Sequence, residues 1–132
     1  MKQFVIGVLS RGGHLLAERR KRNKEYAPGC IIFPGGHIEA GELPHDALVR
    51  EMKEELNIKV LEDRLLGTFA HSNGDSVEVY LVLRWEGEPE AREADELLWI
   101  TSEEELSPER EFDKRIFRKV RLLEADLQLH NA

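Results

Sequence analysis

The sequence predicts an α/β protein, a mixed β-sheet packed between helices. Short runs of β-branched and apolar residues lie on both sides of one amphipathic segment. Turn-forming Gly, Pro and Asn clusters separate those runs. A second helical stripe closes the chain, so the order is strands, helix, strands, helix, and each helix needs a sheet face to cover. The 132 residues suit one domain, expected to span 1–132, and are enough for a substantial core.

The elements follow in order. FVIGVL (4–9) is apolar and rich in β-branched residues, and reads as a buried strand. Arg11, Gly12 and Gly13 make a hairpin turn into a partner strand, HLLAER (14–19). A basic, polar loop covers 20–29. CIIF (30–33) is a short buried strand, ended by a turn at Pro34, Gly35 and Gly36. Pro44 suits the first turn of a helix, where its missing N–H has no intrahelical partner to lose. Leu48, Met52 and Leu56 recur every fourth residue and form a seam facing the core. Asn57 stands just past that helix, where a left-handed residue often closes one. Residues 58–69 read as extended, and Asn73-Gly74 signals a two-residue hairpin. VEVYLVLRW (77–85) alternates as a long strand, and ELLWI (96–100) is a short apolar one. Phe112, Ile116, Val120, Leu123 and Leu127 mark the core-packing face of a last helix.

Composition narrows the function. The net charge is −7, a poor basis for binding DNA or RNA, whose phosphates require Lys and Arg. No apolar run approaches the ~18 residues of a membrane span. The N-terminus lacks a signal-peptide pattern. Cys30 is the only cysteine, so no internal disulfide forms and a reducing cytoplasm is the expected compartment. The acidic balance has two readings, a solvated surface or a cation site.

The segment 35–58 concentrates that acidity on a helix. Glu51, Glu54 and Glu55 stand at i, i+3 and i+4, so they share one face, where like charges repel. Either the face is simply solvated, with Arg50 and Lys53 softening the repulsion, or it holds a hard cation such as Mg²⁺ or Mn²⁺. Gly35 and Gly36 let the backbone approach a ligand closely. Glu42 precedes Arg50 by eight residues, a spacing that lets an ion pair pin loop to helix. Carboxylates beside a glycine turn suit metal-bridged phosphates.

Gly36, Glu42, Arg50, Glu51, Met52, Glu54, Glu55 and Ile58 resemble the signature of the Nudix hydrolases. That pattern is G, five residues, E, seven residues, REU, one residue, EE, one residue, GU, with U a bulky apolar residue. The late glycine is replaced by Asn57, the next-best residue for a left-handed cap. RWEGEP (84–89), Trp99-Ile100 and the FPGG lead-in (33–36) are similar to the MutT-type branch, small nucleoside triphosphate pyrophosphohydrolases. The resemblance implies a Nudix-type α/β/α sandwich.

It also implies residue roles. Glu51, Glu54 and Glu55, with the Gly35 carbonyl, would bind Mg²⁺ or Mn²⁺, and Glu42 with Arg50 would orient loop and helix. Glu93 resembles an additional acidic ligand on a later loop, with Glu96 its competitor. Glu54 and Glu51 are the candidate general bases for water attack on a diphosphate linkage. Arg20 and His37 would face phosphate; the alternative for the basic cluster at 19–22 is a solvated loop. Phe33 and Asp113 would meet the nucleobase, the carboxylate favouring a base with an exocyclic amine. Phe33 has a second reading as a core residue, and Asp113 a second reading as a first-turn helix residue stabilised by the dipole. His14, His45, His71 and His130 show no metal-ligand spacing.

The expected activity is conversion of a nucleoside triphosphate to monophosphate and pyrophosphate, including removal of oxidised or non-standard nucleotides. The expected partner is a small-molecule nucleotide, without DNA or membrane, for a monomer or a homodimer. The alternatives are another diphosphate-linked substrate (ADP-ribose, a dinucleoside polyphosphate, capped RNA) and a non-catalytic nucleotide sensor.

Overall fold

The computed structural model describes residues 2–131, with side chains through residue 127. The elements are β1 (Gln3–Arg11), β2 (His14–Arg19), β3 (Ile31–Ile32), β4 (Gly35–His37), α1 (Pro44–Leu56), β5 (Lys59–Ala70), β6 (Ser76–Glu86), β7 (Glu96–Ile100) and α2 (Glu111–Asn131). A single 3-10 turn, Glu103–Glu105, precedes α2. The strand order is β3-β2-β1-β6-β5, with β4 added to β1 and β7 to β2. β1 and β6 run parallel from Gln3↔Ser76 to Leu9↔Val82, and β5 and β6 run antiparallel, so the sheet is mixed as expected.

Successive residues of the central strands supply opposite layers, because side chains alternate across a strand. Val8, Leu15, Ala17, Val79 and Leu81 pack with Ile116, Phe117 and Val120 of α2. Val5, Leu9, Leu16, Tyr80 and Val82 pack with Leu48, Met52 and Leu56 of α1. A helix therefore covers each face, giving the α/β/α sandwich. The three seam residues of α1 are fully buried, and each contributes about 1.5–3 kcal/mol by leaving water. Gly7 makes room for that seam: a Cβ there would lie 2.7 Å from Met52 Sδ.

Helix α1 begins at Pro44 without a side-chain cap and ends at Asn57. Asn57 has φ 56° and ψ 42°, the left-handed conformation expected for it; its N–H donates to the Lys53 carbonyl at 3.0 Å, and the Ile58 N–H donates to the Met52 carbonyl at 3.5 Å. The Asn57 side-chain amide donates to Glu90 at 2.6 Å.

Three local expectations are corrected. The strand expected over 30–33 shrinks to Ile31–Ile32, because the Phe33 N–H donates to the Asp113 carboxylate at 3.0 Å and leaves the ladder. Gly35 and Gly36 do not turn the chain but begin β4, antiparallel to β1 with Val5↔Gly36. A Cβ on Gly35 would stand 2.1 Å from the Val5 carbonyl oxygen, so glycine here permits close backbone approach. Asn73-Gly74 lies inside a longer connection, 71–75, closed by the His71 N–H donating to the Asp75 carbonyl. Asn73 accepts from the Asp75 N–H through its side chain, and only Gly74 has positive φ, so the paired left-handed residues of a type I′ turn are not formed.

Along the edge of β1 facing away from β6, the partner changes. Phe4, Val5 and Ile6 pair with β4, whereas Ser10 and Arg11 pair with β2. The sheet opens where the partner changes, and α1, β2 and the start of α2 border the opening.

Candidate active site

Arg50 is the hub of the site. Its Nε and Nη2 donate to the two oxygens of Glu42 at 2.8 and 2.9 Å. Nη2 also donates to the His37 carbonyl at 2.9 Å, and Nη1 donates to Glu51 at 2.9 Å and Glu54 at 3.2 Å. Loop and helix are thereby pinned together by the pair that the spacing suggested. Hydrogen bonds from Arg50, then one from the Glu39 N–H, hold the Glu42 carboxyl down at about 2. Gly36 completes the arrangement, since a Cβ there would meet the Glu51 carboxylate carbon at 2.4 Å.

Glu51, Glu54 and Glu55 line one cavity of about 1050 Å³ together with Gly35 and Glu93. Glu55 is only 4% exposed, and its Oε2 has no hydrogen-bond partner. Burial, and next the neighbouring charge of Glu18, push its pKa up. Burial also raises Glu51, against the hydrogen bond from Arg50. Among the described residues, no three acidic, His or Cys side chains stand ready-grouped around a point: Arg50 engages Glu51 and Glu54. The donor chemistry nonetheless fits a hard divalent cation: the Glu55 oxygen without a partner is a hard oxygen ligand available to one.

Glu93 reaches the cavity because its loop is stitched to α1. The N–H groups of Glu90 and Arg92 donate to the Leu56 and Glu55 carbonyls at 2.9 and 3.1 Å, and the Asp95 N–H donates to the Arg19 carbonyl. Glu96 is turned elsewhere, bound to Arg19 at 2.8 Å and absent from the cavity wall.

Arg20 lines the cavity and Arg19 does not. Arg20 Nε donates to the Tyr26 carbonyl at 2.8 Å, shaping the basic loop. His37 lines the cavity with its ring 4.6 Å from that of Phe4. Phe33 belongs to the core cluster and the cavity wall at once. Asp113 is also at the wall, but 99% buried and engaged: it accepts from the Phe33 N–H and pairs with Arg110 at 3.0 Å. Burial raises its pKa, and the Phe33 N–H and Arg110 oppose that. His45 pairs with Asp63 at 2.6 Å, His71 packs edge-on against Phe112 at the cavity, and the His130 side chain lies outside the described residues.

Sequence reading missed several lining residues, among them Glu18, Tyr26 and Arg110. Glu18 on β2 is 2% exposed, and burial raises its pKa while Arg20, 3.9 Å away, lowers it. The available signal was a charge directly following the apolar run Leu15, Leu16 and Ala17 within the strand. Tyr26 and Arg110 come together at the mouth, the guanidinium 4.9 Å from the ring centroid and donating to its hydroxyl at 2.6 Å. They lie too far apart in the chain for any local signal to join them.

A model of the NUDIX domain matches residues 2–120. An 8-oxo-dGTP diphosphatase of Haemophilus influenzae is 35% identical over 102 residues, 74% of each chain. A CTP pyrophosphohydrolase of Escherichia coli is 30% identical over 111 residues, 80% of each chain. The crystal structure of a MutT NUDIX hydrolase from Burkholderia pseudomallei superposes with a TM-score of 0.69 at 30% identity, covering 80% of this chain and 86% of that one. Among the described residues, no helix is long and apolar enough to cross a membrane.

Proposed function

This chain belongs to the Nudix domain family, and from that membership we propose a pyrophosphohydrolase that converts a nucleoside triphosphate to nucleoside monophosphate and pyrophosphate. The observation that carries the reading is the buried, partnerless Glu55 oxygen in a cavity that Glu51, Glu54, Glu93, Arg20 and His37 also line. The carboxylates suit a divalent cation, and Arg20 and His37 suit phosphate.

Glu51, Glu54, Glu55 and Glu93, with the Gly35 carbonyl, would hold Mg²⁺ or Mn²⁺. The bound cation supplies charge neutralisation at phosphate oxygens and a lowered pKa for water. Glu54, half exposed, is the base that takes the proton from the attacking water, with Glu51 its alternative. Arg50 positions both carboxylates, and Glu42 positions Arg50. Arg20 and His37 bind the phosphate chain.

Phe33 and Asp113 border the base. A carboxylate accepts from exocyclic amines, and guanine and cytosine, the bases in the named relatives, both carry one. Clearing of oxidised or non-standard nucleotides is the proposed role. The single cysteine, buried and unpaired, suits a reducing cytoplasm. The oligomeric state proposed is a monomer or a homodimer.

The test is product analysis with Mg²⁺ on canonical, methylated and 8-oxo triphosphates, ADP-ribose and a dinucleoside tetraphosphate. Glu54→Gln serves as the control for contaminating hydrolases. Monophosphate plus pyrophosphate from a triphosphate, lost in the variant, is the expected result. Turnover of ADP-ribose or the dinucleotide alone would overturn the substrate class, and activity retained in Glu54→Gln would overturn the site.

A further inference from the structure

Glu18 lies outside the signature that identifies this site. It comes from β2, where Leu15, Leu16 and Ala17 are fully buried. Alternation along the strand puts Glu18 on the same side as Leu16, the layer that packs against α1. A residue there with only a packing duty would be apolar. Instead a carboxylate is buried in the cavity wall with Glu51, Glu55 and Glu93.

Its electrostatic surroundings are unfavourable. Among the described residues, Arg20 at 3.9 Å is its one ion-pair partner. Glu55, 4% exposed, lines the same cavity as Glu18, so two carboxylates share one buried space. The Glu55 oxygen without a hydrogen bond is a second and separate sign that something positive belongs here. Arg20 does not supply it: it reaches Glu18, and the Glu55 oxygen stays without a partner.

We propose that Glu18 is an additional ligand for a divalent cation shared with Glu55, a carboxylate this chain adds from β2 to those of the helix. The inference rests on the Nudix reading of the cavity and extends its metal site. One cation between Glu18 and Glu55 would satisfy the orphaned oxygen, remove the repulsion and release Arg20 to the substrate.

Mn²⁺ binding to nucleotide-free protein, followed by electron paramagnetic resonance, tests this without reference to turnover. Glu18→Gln is expected to lose one bound ion or to bind about tenfold or more weakly, while its metal-free form melts no lower than wild type. Glu96→Gln, outside the cavity, should bind as wild type does. A Glu18→Gln isotherm equal to wild type, with a lower metal-free melting temperature, would make Glu18 a structural partner of Arg20 and overturn the proposal.

Crystals of the wild-type protein soaked in Mn²⁺ give an answer even if the variant does not fold. An anomalous peak about 2.1 Å from a Glu18 oxygen is expected, and ions confined to the other carboxylates would overturn it. Loss of triphosphate hydrolysis in the product assay with Mn²⁺ binding intact would count against the substrate reading alone, so the two fail separately.

Discussion

Arg50 divides one guanidinium among Glu42, Glu51, Glu54 and the His37 carbonyl, with Glu39 3.8 Å away. The consequence is testable through pH. Glu42 in the fold titrates near 2, well below its ordinary 4.5. A depressed carboxylate stabilises the fold above its unfolded pKa and loses that contribution as pH falls through its folded one. Glu42→Gln should therefore melt below wild type at neutral pH, and the gap should close as pH falls from about 4.5 to about 2. Thermal denaturation across that range checks it; a constant gap would mean that the ion pair is not what stabilises the loop. The pair was legible in the sequence because loop and helix are near neighbours in the chain. Glu18 was not: alternation puts it on the side of Leu16, but the strand sequence does not say which helix or cavity that side meets.

At the scale of the element, α1 does two jobs with two faces. Leu48, Met52 and Leu56 fasten it to the sheet, and Glu51, Glu54 and Glu55 supply the cavity. Strand β4 brings its backbone against the second face, and Gly36 makes the approach possible. Gly36→Ala would drive a methyl group into the Glu51 carboxylate, which Arg50 holds in place. We expect kcat/KM to fall about a hundredfold, the scale of a 1 Å misplacement, with the melting temperature nearly unchanged. Steady-state kinetics beside circular dichroism would show it. Full activity would mean that Glu51 works from another position. The left-handed Asn57 was also legible, and it acquires a second duty: its bond to Glu90 helps fasten the loop that carries Glu93.

For the whole molecule, a net charge of −7 with several carboxylates at one opening predicts a protein stabilised by cations. A ligand that binds only the folded state adds about 2.7 kcal/mol at a hundredfold excess over its Kd. Mg²⁺ should raise the melting temperature above that in NaCl of equal ionic strength, the comparison that removes general screening. Glu54→Gln should lose most of the gain. Equal melting curves in the two salts would argue against a metal site in the resting protein.

The sequence by itself determined what local periodicity and backbone chemistry can encode. Positions three and four apart share a helix face, so the acidic face and the apolar seam of α1 could be read directly. A proline and an asparagine bounded the helix, and alternation marked the long strands. Tertiary structure decided what depends on residues distant in the chain. A Gly-Gly pair permits a turn or a close approach, and only the passing of Val5 chose between them. Glu93 stood ahead of Glu96 by resemblance alone until their loop bonded to the end of α1 and to Arg19. Phe33 left its ladder for Asp113, 80 residues away. Burial likewise set the charge environment of Glu18 and Glu55, because a carboxylate's neighbours in space, unlike those on its own helix, are not written beside it.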